Sequence, residues 1–393
     1  SRNVGQVGPK RDLYGVFVGA ARQGQVQALG PLHPAPRFGL APRPLGESDF
    51  TAEEKAKPDL LNPRLQHWFF PKWGQGDAAV FNKLWLKKVR EVIDKYSPDS
   101  LWFDGLKPSE HCTEASHLDF MGYYFDMAEA EGRYGTLFSK LAGTSVFNVP
   151  HGVGIKCYEG GRDPPPYATG PCLVDKAISY PWSYVEDKQY KFGPDDHVDA
   201  IIDMTARGGY YFMSLTPMGD GSIPSREKEI CTEIGKWLRI NGEAIYGTRM
   251  WKIATEGPLN TFKYKPDKGV IYWDYREADK QGQIRFTCKG DTLYAIFLDW
   301  EREAFAIRTL GRDTIPNATI KGIELLGYDG DLKIEQTSKA LVIQAPSKKP
   351  HEYAYAFKIE LSGDVGNRMV AGRPFTMAEE SMTYDEIVQK HFR

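Results

Sequence analysis

The sequence lacks the features that announce several large protein classes. Its five cysteines, Cys112, Cys157, Cys172, Cys231 and Cys288, form no Cys-x-x-Cys pair. That scatter excludes a structural zinc module and a dense disulfide framework, and an odd count leaves at least one thiol outside any intrachain pair. No apolar run approaches the roughly eighteen residues of a bilayer-spanning helix, so no membrane partner is expected. Charge of one sign is not in excess: Lys plus Arg number 50 against 52 Asp plus Glu, a net charge of -2. Such a balance gives no basic field to neutralise phosphates, so nucleic acid is not an expected partner. No Gly-rich dinucleotide fingerprint and no Gly-x-Ser-x-Gly elbow occurs, which removes the dehydrogenase and serine-hydrolase readings. Met218-Gly219-Asp220-Gly221 lacks both the alternating acids of a calcium loop and the Gly-Lys-Thr/Ser ending of a phosphate loop. The chain opens Ser1-Arg2-Asn3 without an apolar leader, so it reads as processed or trimmed, with no targeting signal to interpret.

What is present is length and rings. At 393 residues the chain has room for two domains and a substantial core. Aromatic residues reach 13%, with 9 Trp and 21 Tyr. Either a well-packed core or a cleft whose flat rings stack on sugar faces accounts for that richness, and composition leaves both open.

Two grammars divide the chain. In the first, Leu13, Val16, Phe17 and Ala20 recur at helical spacing, predicting a helix. Residues 23–48, broken by Pro31, Pro34, Pro36, Pro42 and Pro44, read as irregular chain. Ala78 to Tyr96 is an amphipathic helix, with Val80, Leu84, Val89, Val92 and Ile93 opposed to Lys83, Lys87, Lys88, Arg90 and Glu91. It ends at Ser97-Pro98-Asp99, and a short apolar strand, Ser100 to Phe103, follows. Helix then recurs at 118–131, 197–205 and 225–241, and apolar strands at 145–149 and 210–215, which predicts a parallel sheet flanked by helices. From about Trp251 short alternating segments take over, at 283–287, 292–298, 340–343 and 353–359, separated by Gly, Asp and Pro turns. These predict a β-sandwich with one face of each strand buried and the other solvated. The fold class is therefore α/β: a (β/α) barrel-like domain over 1–250, an all-β sandwich over 251–365, and a peripheral tail over 366–393 with a helical stretch at 377–391.

In parallel α/β folds the ligand sits at the carboxyl ends of the strands, so acids placed there are the first candidates. Asp104 follows the strand Leu101-Trp102-Phe103 directly, and Gly105 after it permits a sharp turn; the plainer role for such an Asp is the cap of a following helix. Glu159 reads as a loop acid beside the run Pro164-Pro165-Pro166, where a solvated surface role is the commoner outcome. Asp163 and Asp175 are rival acids in the same region, and His151 is a candidate donor. Asp203, on a helix ahead of Arg207, is read as a salt-bridging residue.

Taken in order, five stretches resemble the α-L-fucosidases of glycoside hydrolase family 29. They are Val7-Gly8-Pro9-Lys10-Arg11-Asp12, Tyr96 through Gly105, Val174 through Tyr184, Asp203 through Pro224, and Ile234 through Gly247. The resemblance implies an irregular (β/α) barrel followed by a β-sandwich, and a retaining exo-α-L-fucosidase that needs no cofactor and no metal. It implies Asp104 as nucleophile and Glu159, in Tyr158-Glu159-Gly160-Gly161-Arg162, as acid/base, with Trp102, His151, Trp182 and Tyr184 binding substrate. The partner would be a fucosylated oligosaccharide or glycoconjugate; the location secreted, periplasmic or lysosomal; a homo-oligomer is left open. The family's early strands, with a His-His-Asp-Gly-Phe segment, lie ahead of the Gly-Pro-Lys-Arg-Asp stretch at which this chain begins, and His33 has no assigned role. On that reading weak or absent hydrolysis of aryl fucosides is expected, with a non-catalytic or carbohydrate-binding relative as the alternative.

Overall fold

A computed structural model describes residues 9–32, 78–103, 113–140, 154–159, 171–258, 262–265, 270–273 and 279–363. The chain forms two compact units, Ser1–Cys157 and Tyr158–Arg393.

The first unit alternates helix and parallel strand: α1 (Leu13–Gln23), β1 (Leu29–Leu32), α2 (Ala78–Tyr96), β2 (Ser100–Phe103), α3 (Glu114–Ala130) and β3 (Thr136–Lys140), followed by β4 (Ile155–Glu159), within which the division between the units falls. Neighbours pair in register, so that Trp102 lies level with Pro31 on β1 and Phe138 on β3, and Phe138 level with Ile155 on β4. The core is built at helical spacing: Trp85, Val89 and Ile93 of α2 and Phe120, Met121 and Tyr124 of α3 close over Leu101, Phe103 and Leu137. Thr113 caps α3 by accepting from the Ser116 amide, which starts the helix four residues earlier than the apolar pattern predicts.

One expectation changes here. The region expected to be irregular contains β1, held by its pairing to β2 and by the Ala28 amide donating to Asp99 Oδ2 at 2.8 Å. A four-residue strand shows no period of its own, and Pro31 is tolerated because, among the described residues, β1 ends the order of paired strands and its missing N–H is asked for by no second strand. The helix expected from Leu13, Val16, Phe17 and Ala20 is α1, and that quartet is its outward stripe: Leu13, Val16 and Phe17 are 40%, 49% and 71% exposed, while Val18 is buried. The helix is anchored instead through polar atoms. Asp12 caps it, accepting from the Gly15 amide at 3.1 Å and from Tyr96 Oη at 2.7 Å, and pairs with Lys95 at 2.7 Å. Those contacts, Lys95 foremost, bring its pKa down to about 2. The strand expected at 145–149 lies outside the described residues; β3 and β4 are additional.

The second unit continues with β5 (Cys172–Ala177), α4 (Pro194–Ala206), β6 (Tyr210–Ser214) and α5 (Ser225–Asn241), β5 and β6 again being parallel. Antiparallel strands follow: β7 (Arg249–Glu256), β8 (Phe262–Lys265), β9 (Val270–Trp273), β10 (Ile284–Lys289), β11 (Thr292–Phe297), β12 (Ala304–Ile307), β13 (Ala318–Leu325), β14 (Ile334–Gln336), β15 (Leu341–Gln344) and β16 (Tyr355–Gly363). They make a five-stranded sheet in the order β13-β16-β11-β10-β7, a three-stranded sheet β12-β15-β14 and the pair β8-β9.

The central strands of the larger sheet are covered on both faces, where one solvated face was expected. Leu293, Ala295 and Phe297 of β11 join Phe286, Phe305, Leu341 and Phe357 in the sandwich core. Alternate residues Tyr294, Ile296 and Leu298 pack with Val198 and Ile202 of α4 and Ile230, Ile234 and Trp237 of α5. Period two therefore separates two buried environments rather than core from water. On β10 the second face is polar: Arg285 Nε donates to Asp203 Oδ1 at 2.6 Å and Thr287 Oγ1 to the Ala244 carbonyl at 2.7 Å. The tail helix expected at 377–391 lies outside the described residues.

Candidate active site

The carboxyl ends of parallel strands are where short loops can aim side chains at a ligand without disturbing the sheet beneath. Trp102 occupies the next-to-last position of β2, half-buried between Pro31 and Phe138. Asp104, which follows Phe103, lies outside the described residues, as do His151 and Asp163. Glu159 is the terminal residue of β4, so the backbone at this acid is strand and not the loop expected. The preceding Pro-free residues Ile155 to Tyr158 alternate too briefly to register as a strand on their own, and pairing of Phe138 to Lys140 with Ile155 to Cys157 supplies the order. The rival Asp175 sits within β5, level with Phe212 and 3% exposed, two residues short of the strand's end.

Trp182 and Tyr184 stand in the long connection from β5 to α4. They are 36% and 41% exposed, and the neighbouring Tyr180 is 71% exposed. The connection doubles back, Tyr180 bridging to Gln189 in antiparallel fashion. Its returning limb is pinned by a buried polar network that sequence reading missed. Lys188 Nζ donates to Ser179 Oγ at 2.9 Å and to Thr216 Oγ1, and pairs with Glu227 Oε1 at 3.5 Å. Glu227, in the first turn of α5, also accepts from the Thr216 amide at 2.9 Å, from Thr216 Oγ1 and from Tyr190 Oη at 3.2 Å. Burial and the adjacent Glu227 carboxylate push the Tyr190 phenol up to about 12, so it stays a donor. The side chains of Lys188 and Glu227 are 4% and 0% exposed. Nothing in the sequence separates this Glu from any acid in the first turn of a helix, where the dipole alone accounts for it.

The remaining singled-out residues have structural partners. Asp203 is buried between Arg207 Nη2 at 2.7 Å and Arg285 Nε at 2.6 Å. Burial alone would raise its pKa, but the two guanidinium groups hold it below the usual carboxylate range. Asp220 accepts from the Ser222 amide at 2.9 Å and from Ser222 Oγ at 2.6 Å in an exposed turn. Among the described residues no group of His, Cys, Asp and Glu is arranged to hold a metal ion, and no helix is long and apolar enough to cross a membrane.

The arrangement of parallel strands and helices, then antiparallel strands, is shared with solved structures. The α-fucosidase of Thermotoga maritima, in complex with fucose, superposes with a TM-score of 0.60 over 90% of this chain and 69% of that one, at 22% identity. α-L-Fucosidase isoenzyme 1 from Paenibacillus thiaminolyticus gives a TM-score of 0.61 over 90% of this chain and 76% of its own, at 17% identity. Those likenesses establish the fold: a barrel-like domain with a C-terminal β domain. In sequence, human tissue α-L-fucosidase is 23% identical over 321 residues, 75% of this chain, and the mouse protein 24% identical over 383 residues, 91% of this chain. The chain spans 60% of the length of the human protein and 68% of the mouse protein. The profile of the α-L-fucosidase family matches residues 1–243, and that of the α-L-fucosidase C-terminal domain matches residues 278–360. With more than half of its length inside the first of these matches, the chain belongs to the α-L-fucosidase family.

Proposed function

We propose that the chain hydrolyses terminal α-L-fucose from glycans or glycoconjugates with retention of anomeric configuration. One observation carries the reading: the family match across residues 1–243 takes in the strand β2, whose last residue Phe103 immediately precedes Asp104. Asp104 attacks the anomeric carbon while Glu159 protonates the departing oxygen, leaving fucose covalently attached through the Asp104 carboxylate. Glu159, now a carboxylate, takes a proton from water, which attacks the same carbon and releases fucose and the regenerated nucleophile. Trp102, Trp182 and Tyr184 offer ring faces to the sugar, and His151 a donor to its hydroxyls. No cofactor takes part. Residues 1–250 form the catalytic domain on this reading, 251–365 the supporting sandwich and 366–393 a peripheral tail.

The test is a 2-fluoro-fucosyl donor that slows the second step and traps the first. Peptide mapping is expected to find the label on Asp104, and Asp104→Asn to lower kcat by about three orders of magnitude or more. Glu159→Gln should depress hydrolysis of poor leaving groups far more than that of activated aryl fucosides, because only the former need protonation. Label on another residue overturns the role of Asp104. A wild-type chain that neither labels nor turns over is the non-catalytic relative.

A further inference from the structure

Of the eight asparagines in the chain, Asn317 alone is followed two residues on by Ser or Thr with a residue other than Pro between, in Asn317-Ala318-Thr319. So short a motif recurs by chance, and its surroundings decide its meaning. Pro316 and Asn317 are the central pair of a β-turn closed by the Ala318 amide on the Ile315 carbonyl at 3.2 Å, and Ile315 is sunk in the sandwich core. β13 starts at Ala318. Asn317 and Thr319 are exposed while Ala318 and Ile320 pack against the core, so the amide and the hydroxyl both stand in solvent. β13 also ends the order of the five-stranded sheet, and among the described residues its outer backbone groups meet no further strand. An open edge of eight residues is a template for pairing with another chain unless charge, a bulge or bulk interrupts it. The later part of β13 is interrupted: Lys321 and Glu324 are exposed, and the register shifts between Ile320 and Gly322. Its first three residues, Ala318, Thr319 and Ile320, carry no charge.

We infer that Asn317 is an acceptor for N-linked glycosylation, and that the glycan shields the uncharged end of the β13 edge from pairing with a second copy of the chain. The co-substrate is an oligosaccharide joined to a lipid pyrophosphate, presented by a transferase of the secretory lumen. The Asn317 side-chain nitrogen attacks the anomeric carbon of the donor's first sugar, and the C–N bond forms as the bond from that carbon to the pyrophosphate oxygen breaks. The nitrogen gives up one proton to a base of the transferase, and the lipid pyrophosphate leaves. Thr319 supplies the hydroxyl that the transferase reads, and Ser can replace it. At an exposed turn the glycan adds bulk and hydration without displacing a packed side chain. It is independent of the chemistry proposed at Asp104, which stands or falls separately.

The full chain is expressed behind a secretion leader in a eukaryotic host as wild type, T319S, T319A, N317Q and T319K. Wild type and T319S are expected to lose mass on treatment with peptide-N-glycosidase without denaturation, and peptide mapping to find Asn317 converted to aspartate. T319A, N317Q and T319K are expected to show no loss. The shift is read on cell extracts as well as on medium, so it does not depend on export. An unmodified Asn317 in wild type overturns the site. For the edge, amide hydrogen exchange over residues 318–325 is followed against protein concentration. It is expected to slow with concentration in T319A, where bare edges pair, and to stay constant in wild type and in T319K, whose introduced charge guards the edge without a glycan. Exchange in T319A as constant as in wild type, or slowing in T319K equal to that in T319A, overturns the shield. A T319A chain retained in the cell while T319K is exported supports it, and retention of both overturns it.

Discussion

His117 lies 1% exposed on α3 between Trp85 and Phe120, ring centroids 5.4 and 6.2 Å away, and neither ring nitrogen has a hydrogen-bond partner among the described residues. His197, fully buried on α4, is hydrogen-bonded through Nδ1 to Tyr211 Oη at 2.7 Å. Burial brings both pKa values down to about 4, with Lys176 adding to the effect at His197. An unfolded histidine titrates near 6.5, so between about pH 4 and 6.5 the unfolded chain binds the extra protons. Stability contributed by each neutral ring is therefore complete above about pH 6.5 and falls as the solution is acidified towards pH 4, by about 2 kcal/mol per histidine between pH 7 and pH 5. His117→Phe removes the partnerless nitrogens and keeps the ring. It is expected to raise the urea midpoint at pH 7 and to raise it further at pH 5, measured as equilibrium unfolding at the two pH values. A midpoint that falls, or a gain that does not grow with acid, would show that the imidazole is satisfied in solution.

Among the elements, α4 shows best what the sequence disclosed and what it withheld. Its Asp203 was legible as a salt-bridging residue because Arg207 stands four positions on, one helical turn away. The second partner was not, since Arg285 is separated by 82 residues and reaches α4 only because β10 turns alternate side chains away from the sandwich core. Removing that partner leaves a buried carboxylate with one guanidinium, so Arg285→Ala is expected to cost about 3–5 kcal/mol in denaturant unfolding. The triple variant Asp203→Leu, Arg207→Met and Arg285→Met removes all three buried charges together; it should recover a good part of the loss, and a triple variant no better than the single would refute the account. The same contrast of local and distant signals explains the strands. α2 and the alternating segments of β10, β11, β15 and β16 carry their own period. β1, β3 and β4 run to four or five residues and owe their order to neighbours in register, which no local pattern encodes. Near the candidate site, strand-end acids could be picked out by their position after apolar runs, whereas Lys188 and Glu227 look in sequence like ordinary surface charges and meet as a buried pair only when the loop folds back.

For the molecule, the consequential feature is the core shared between α4, α5 and the larger β sheet. Ile296, Leu298, Ala354 and Ala356 are as buried against the helices as any residue of the sandwich, and the Trp237 indole donates to the Ala354 carbonyl at 2.8 Å. A chain ending at residue 250 would open that face of both helices to water along with Asp203 and its neighbours. Such a truncation is expected to lose cooperative thermal unfolding and to collect in aggregates, as followed by calorimetry and light scattering. A soluble 1–250 fragment with a sharp transition would show the sandwich to be an appendage.

The outward stripe of α1 has a colloidal meaning. Leu13, Val16, Phe17 and Ala20 make a ridge of oil on a chain whose near-neutral charge supplies little mutual repulsion. Encounters between molecules then become adhesive at that ridge, and the adhesion grows with protein concentration and with sulfate, which strengthens apolar contact. Phe17→Ser, touching nothing else in the described residues' core, is the single change expected to keep concentrated solutions clear; turbidity against concentration for the two proteins, at low and high sulfate, reads the difference directly.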